Sequence, residues 1–145
     1  MISGVLLDTG PLVAYLWQHD RYHKWAAEQF VTLDLPLITC EAVITEACFL
    51  TARNRVSPVH VVETVERGVI RLDFQLSEEI AAVRDLMARY ASVPMSLADA
   101  CLVRLSEMTG LPICTLDSDF TVYRTQRRRP LTLISPSGPG YMHEA

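Results

Sequence analysis

The sequence predicts an α/β protein in which helices flank a central, mainly parallel sheet. Two observations lead there. Short apolar runs of strand length alternate along the chain with stretches of helical periodicity. Two of those runs, residues 5–7 and 112–116, end directly in an aspartate, Asp8 and Asp117. In open α/β sheets the carboxyl edge of the strands is where ligands bind.

After the first strand comes Asp8-Thr9-Gly10-Pro11. Proline suits the first turn of a helix, so a strand, a short turn and a helix finishing over 12–17 are expected. His19-Asp20 opens a second helix, with Tyr22, Trp25, Ala26, Phe30 and Leu33 at helical spacing as far as Asp34. Residues 35–40 read as a buried strand with Pro36 at its opening, where a missing N–H is tolerated. A helix follows over 41–53, burying Val43, Ala47, Phe49 and Leu50, and Asn54 stops it. Ser57-Pro58 begins another, hydroxyl cap then proline, with Val59, Val62, Val65 and Val69 as its inward stripe. Gly68 falls near its end. Residues 70–75 alternate as a half-exposed strand does.

Ser77 caps the next helix, with Glu78 and Glu79 favourable to its dipole. Ile80, Val83, Met87 and Tyr90 form its apolar face. Ser96 begins a sixth helix, in which Leu97, Cys101, Leu102, Leu105 and Met108 face inward until Gly110. The strand over 112–116 leads into Asp117-Ser118-Asp119-Phe120, an Arg-rich turn follows, and 131–134 form the last strand. Residues 1–135 make one domain, and 136–145, with Gly138-Pro139-Gly140, a flexible tail.

The chain has 145 residues, half of them apolar and 21% charged, which suits one soluble globular domain. No apolar run approaches the roughly 18 residues of a membrane span, and no basic segment precedes an apolar one as in a signal peptide. A cytoplasmic protein is expected. Cys40, Cys48, Cys101 and Cys114 form no C-x-x-C pair and read as small buried thiols in a reducing compartment. His19 and His23 stand i, i+4 without a thiol or carboxylate partner, and with His60 and His143 they read as surface residues. A net charge of −4 argues against a general nucleic-acid coat protein. It leaves room for an enzyme with a local basic patch, and Arg124, Arg127, Arg128 and Arg129 are close in sequence.

Four acids stand where a purely structural role is awkward. Asp8 and Asp117 close apolar strands, Glu46 lies within the buried arc of its helix, and Asp99 starts a helix among small neighbours. Asp99 also fits a capping box with Ser96, and Asp119 can join or replace Asp117. Strand-end and helix-start acids converge on one edge of a parallel sheet. Clustered carboxylates repel, and raised pKa values or a bound cation relieve the repulsion. Magnesium takes such oxygen ligands together with waters and a substrate phosphate. Setting the four acids aside leaves the remaining chain near neutral.

Four motifs carry a resemblance: Leu6-Leu7-Asp8-Thr9-Gly10-Pro11, Ile44-Thr45-Glu46-Ala47, Leu97-Ala98-Asp99-Ala100 and Thr115-Leu116-Asp117-Ser118-Asp119-Phe120. In this order, in a chain of this length, they resemble PIN-domain ribonucleases, and most of all the VapC toxins of prokaryotic toxin–antitoxin pairs. The resemblance implies a PIN-like three-layer sandwich and a Mg²⁺- or Mn²⁺-dependent endoribonuclease cutting RNA phosphodiesters. It also implies a homodimer and a small antitoxin that blocks the site. Position by position, Asp8, Glu46, Asp99 and Asp117 match the acidic quartet, Thr9 the hydroxyl beside the first acid, and Asp119 a further acid of many members. Asp8, Asp99 and Asp117 are then expected to hold the metal, with Asp119 as a further ligand or a brace. Glu46 is expected to position or deprotonate the attacking water, or to bind the metal through a water of its own, and Thr9 to orient a carboxylate or a metal-bound water. Arg124, Arg127 and Arg128, with Arg129, either grip the RNA backbone or form a solvated turn.

The alternative is a catalytically silent PIN-fold module binding RNA or protein. A phosphoacceptor receiver would want an acidic doublet and a strand-end lysine, and the single lysine is Lys24. A phosphatase with a strand-end nucleophile would want an aspartate where Gly10 stands.

Overall fold

The structure, a computed structural model, describes residues 3–136. In chain order the elements are β1 (Leu6–Leu7), α1 (Thr9–Leu16), α2 (His23–Thr32), β2 (Leu37–Thr39), α3 (Glu41–Arg53) and α4 (Val59–Glu66). Then come β3 (Ile70–Leu72), α5 (Leu76–Arg89), α6 (Leu97–Thr109), β4 (Ile113–Cys114), a 3₁₀ turn (Ser118–Thr121) and β5 (Leu133–Ile134). Five parallel strands are ordered β3-β2-β1-β4-β5.

Alternation along each strand builds two cores. Leu6, Ile38 and Ile113 meet Val83, Leu86 and Leu102 of α5 and α6 on one face. Leu7, Leu37, Ile70 and Cys114 meet Leu12, Phe30 and Val61 of α1, α2 and α4 on the other. The result is a three-layer α/β sandwich, and α3 serves both cores through Val43 and Ala47.

Helix faces depart from the predicted ones in several places. In α4 the buried residues are Val61 and Thr64, while Val59 and Val62 are more than half exposed. An eight-residue helix rich in valine carries apolar side chains on both faces, and its packing on β3 chooses between them. Phe49, Ile80, Leu97 and Met108 likewise face outward. Ser77 caps nothing: α5 starts at Leu76, which packs on the core, and its N-cap is Gln75. Helix α2 starts later than His19, at His23, because Asp20 folds the preceding segment into a turn by accepting the Tyr22 N–H. Strands β2 and β3 are shorter than the apolar runs that announce them.

All four cysteines are free, and Cys40, Cys101 and Cys114 are buried. His19 and His60 are exposed, but the ring of His23 donates from Nδ1 to the Ala14 carbonyl at 2.7 Å. His143 and, apart from Pro136, the tail at 136–145 lie outside the described residues. No helix among the described residues is long and apolar enough to cross a membrane.

Helices α5 and α6 are tied by Arg104, whose Nε donates to Glu79 Oε1 at 2.8 Å and whose Nη1 donates to Glu107 Oε1 at 3.3 Å. Removing the guanidinium strands two partly buried carboxylates. Arg104→Ala is therefore expected to cost about 2 kcal/mol in urea unfolding. A loss no greater than that of an exposed arginine would show the tie to be passive.

Candidate active site

In the sheet order, β1 lies between β2 and β4, so the connections leave β1 and β4 in opposite directions. Such a switch point opens a crevice at the carboxyl ends of the strands. Asp8 follows β1 there and is 5% exposed. Its backbone N–H extends the ladder to the Cys114 carbonyl at 3.0 Å. It is also the N-cap of α1, its Oδ1 accepting the Thr9 N–H at 2.8 Å.

The other oxygen, Oδ2, accepts from the Thr115 hydroxyl at 2.7 Å. The Thr115 oxygen in turn accepts the Asp117 N–H at 2.9 Å, and Asp117 Oδ1 accepts the Asp119 N–H at 2.8 Å. One chain of hydrogen bonds thus joins the two strand-end acids and fixes the 3₁₀ turn behind them. Gly10 allows this approach, since a Cβ there would stand 3.3 Å from Leu116 Cβ.

Two helices bring the remaining acids. Ser96 caps α6 by accepting the Asp99 N–H at 3.0 Å, and Gly110 closes that helix in the left-handed region at φ 74°. Asp99, 8% exposed, accepts the Tyr123 hydroxyl on Oδ2 at 2.8 Å. Glu46 is half-buried on α3, and its Oε1 accepts the Thr9 hydroxyl at 2.5 Å. Asp8, Glu46, Asp99, Asp117 and Asp119 line one cleft of about 810 Å³, together with Thr9.

The electrostatics of the cluster are unfavourable to charge. Burial, with Asp99 and Asp117 adding repulsion, pushes the Asp8 carboxyl up to about 8 against the hydrogen bonds from Thr115 and Thr9. Burial also raises Asp99 to about 6, opposed by the Tyr123 and Ser96 hydroxyls and assisted by Asp117 and Glu46. Both shifts have the sign expected where carboxylates lose water and face one another.

The donor set is all oxygen, the preference of a hard divalent cation, and added positive charge would reverse both shifts. The residues fit such an ion. Among the described residues no three ligand-type side chains already converge into a cage, so the fit rests on donor chemistry and charge.

The arginine-rich segment lies elsewhere. Residues Arg124 and Pro130 form an antiparallel bridge that bounds it. Arg124 Nη1 donates to the carbonyls of Thr121, Val122 and Tyr123, closing the 3₁₀ turn. Arg127, Arg128 and Arg129 are exposed, and none of the four is among the cleft walls.

Sequence reasoning missed Thr115, Tyr123 and the cleft's wall at Trp17, Arg21 and Tyr22. Thr115 had a signal, a hydroxyl near the end of an apolar strand. Tyr123 had none, because its partner Asp99 is 24 residues away.

The model of the PIN domain family matches residues 5–125. Among solved structures, the crystal structure of VapC20 from Mycobacterium tuberculosis, described as a sarcin-ricin loop cleaving toxin, is similar with a TM-score of 0.74. The two share 18% identity over 82% of this chain and 94% of that one, which shows a common fold. No curated protein matches. With a family model spanning four of the five strands, the cleft and the 3₁₀ turn, the chain belongs to the PIN-domain family.

Proposed function

We propose that this protein is a metal-dependent endoribonuclease of VapC type, the toxin of a toxin–antitoxin pair. One observation carries the proposal: acids from four distant parts of a PIN-family chain line a single cleft at the switch point. The structural likeness to a toxin that cleaves an RNA loop supports the same reading.

Asp8, Asp99 and Asp117 would hold the ion, Mg²⁺ or Mn²⁺, and Asp119 would join them or brace the turn. When bound, the cation supplies Lewis-acid stabilisation of charge on the phosphate and lowers the pKa of water. Glu46 faces the same space and is the residue to orient and deprotonate the attacking water. Thr9 holds Glu46 in place through its hydroxyl. Arg127 and Arg128, exposed on their turn, are proposed to meet the RNA backbone outside the cleft. Arg124 would instead brace the turn that carries Asp117 and Asp119. A homodimer and an antitoxin covering the cleft complete the proposal.

Thr9→Val removes the hydroxyl and keeps the shape. It is expected to lower kcat about tenfold, while Thr9→Ser retains most of the activity. Equal kcat in Val and parent proteins would remove Thr9 from the mechanism.

The decisive test is cleavage of a mixed RNA pool by purified, antitoxin-free protein with Mg²⁺ or Mn²⁺ and with EDTA. Cutting with the ions that stops in EDTA is expected. Failure of well-folded protein to cut any RNA would turn the assignment toward a silent binding module.

A further inference from the structure

Five of the cleft's acids come from the sheet edge and from helices α3 and α6, whereas the loop after α1 adds different chemistry, with Asp20 as its one acid. Helix α1 begins at the Asp8 cap and finishes at its C-cap, Trp17. Eight residues of helix span about 12 Å, so the backbones of Asp8 and Trp17 stand roughly that far apart along α1. Val13 of α1 and Leu50 of α3 add apolar wall to the cleft. The loop after α1 adds Trp17, Arg21 and Tyr22.

That part of the wall is built on a fixed turn. The Asp20 N–H donates to the Trp17 carbonyl at 2.9 Å, and Asp20 Oδ1 accepts the Tyr22 N–H at 2.8 Å. The His23 N–H donates to the Asp20 carbonyl at 3.0 Å, and the His23 ring ties the same segment to Ala14. On this turn the Arg21 guanidinium lies 5.3 Å from the centre of the Tyr22 ring. Trp17 is half-buried and opens to the groove. Six carboxylates face the cleft, and among the described residues lining it Arg21 is the one guanidinium or ammonium. A polyanion seated at the acids shares the cleft with this guanidinium.

We infer that Trp17, Arg21 and Tyr22 form a subsite for one nucleotide of single-stranded RNA, adjacent to the phosphate at the acids; this rests on the proposed ribonuclease function. The aromatic rings take an unstacked base, and the guanidinium takes the phosphate joined to it. Duplex RNA keeps its bases stacked and offers nothing to these rings. The loop therefore selects single-stranded segments and biases which nucleotide sits beside the cut.

The chain has two tryptophans, so Trp25→Phe leaves Trp17 as the sole indole. In that protein, with Asp99→Asn to block cleavage, a short mixed-sequence single-stranded RNA is expected to quench Trp17 fluorescence saturably. The same backbone without bases should bind about tenfold more weakly and leave the fluorescence unchanged. Adding Arg21→Ala should weaken RNA binding about tenfold and reduce the salt slope by about one.

In the active enzyme, Arg21→Ala and Trp17→Leu should raise KM about tenfold and shift the pattern of cut sites. Trp17→Phe should restore KM, which separates lost stacking from lost folding. Arg84→Ala, an exposed change on α5, serves as the control. Unchanged KM and cut sites in Arg21→Ala and Trp17→Leu, in an enzyme that does cleave RNA, would overturn the subsite. A parent enzyme that cuts nothing overturns the ribonuclease reading instead. The subsite then stands if RNA still quenches Trp17 and falls if it does not.

Discussion

Asp8→Asn is expected to slow RNA cleavage by about a thousandfold or more and, in EDTA at pH 8, to melt several degrees above the parent protein. Both effects come from one buried carboxylate. Transition-state charge stabilisation by a catalytic metal is worth several kcal/mol, and about 4 kcal/mol is a thousandfold in rate. Asparagine keeps the cap to the Thr9 N–H, being as good an N-cap as aspartate. The Thr115 hydroxyl can turn and accept from the new amide, since its oxygen has two lone pairs.

The stability gain follows from linkage. In the metal-free protein Asp8 titrates at about 8 instead of 3.8. Between those values the unfolded chain has lost a proton that the folded one still holds, so stability falls as pH rises through the interval and levels off above it. The asparagine variant lacks that dependence on Asp8. Its advantage should vanish toward pH 4 and be greatest near pH 8, at about 1.4 kcal/mol per pKa unit as an upper bound. Thermal melts in EDTA at several pH values decide it, and a variant melting no higher than the parent at pH 8 refutes it. Adding Mg²⁺ or Mn²⁺ should raise the parent's midpoint and leave the variant's nearly unmoved.

Tyr123→Phe should reduce divalent-ion affinity and kcat/KM by about 10- to 100-fold while leaving the core intact. The tyrosine ring is fully buried, edge-on to Phe120 at 5.3 Å and to Tyr90 at 5.1 Å. Phenylalanine keeps those contacts. What disappears is the hydroxyl donating to Asp99 Oδ2. That bond favours the charged carboxylate, so its loss moves the Asp99 pKa above its present value of about 6. The rising limb of the pH–rate profile should shift to higher pH, with a larger deficit at pH 6 than at pH 8. A uniform deficit across pH would mean that Tyr123 only packs, and the assignment of its hydroxyl would fail.

Much of the fold could be read from neighbouring residues because it is written at short range. Helix α3 runs over 41–53 as its periodicity and Asn54 predict. Ser96 and Gly110 bound α6 through local hydrogen bonding and a positive φ. Asp8 closes β1 and caps α1, so one residue carries both the strand-end and the helix-start signal. Outward-facing Phe49, Val59 and Val62 were misread because apolar character does not say which side of a helix meets the sheet. The loop carrying Trp17, Arg21 and Tyr22 was invisible as a wall because its importance lies in lining the same cleft as Glu46 and Asp99, which are distant in sequence.

The sequence by itself determined the α/β class, the order of elements and the acids that make the cleft anionic, since apolar spacing, caps and strand-end charges are properties of a few consecutive residues. Only the tertiary structure decided which groups complete those acids. Thr115 reaches Asp8 across 107 residues, Tyr123 reaches Asp99 across 24, and Thr9 reaches Glu46 across 37. It also placed the arginine cluster away from the cleft and put Arg21 with Trp17 inside it. The physical reason is that a buried carboxylate must be satisfied by whatever donor the packed layers bring within about 3 Å. That donor is set by sheet order and helix packing, which local spacing does not encode.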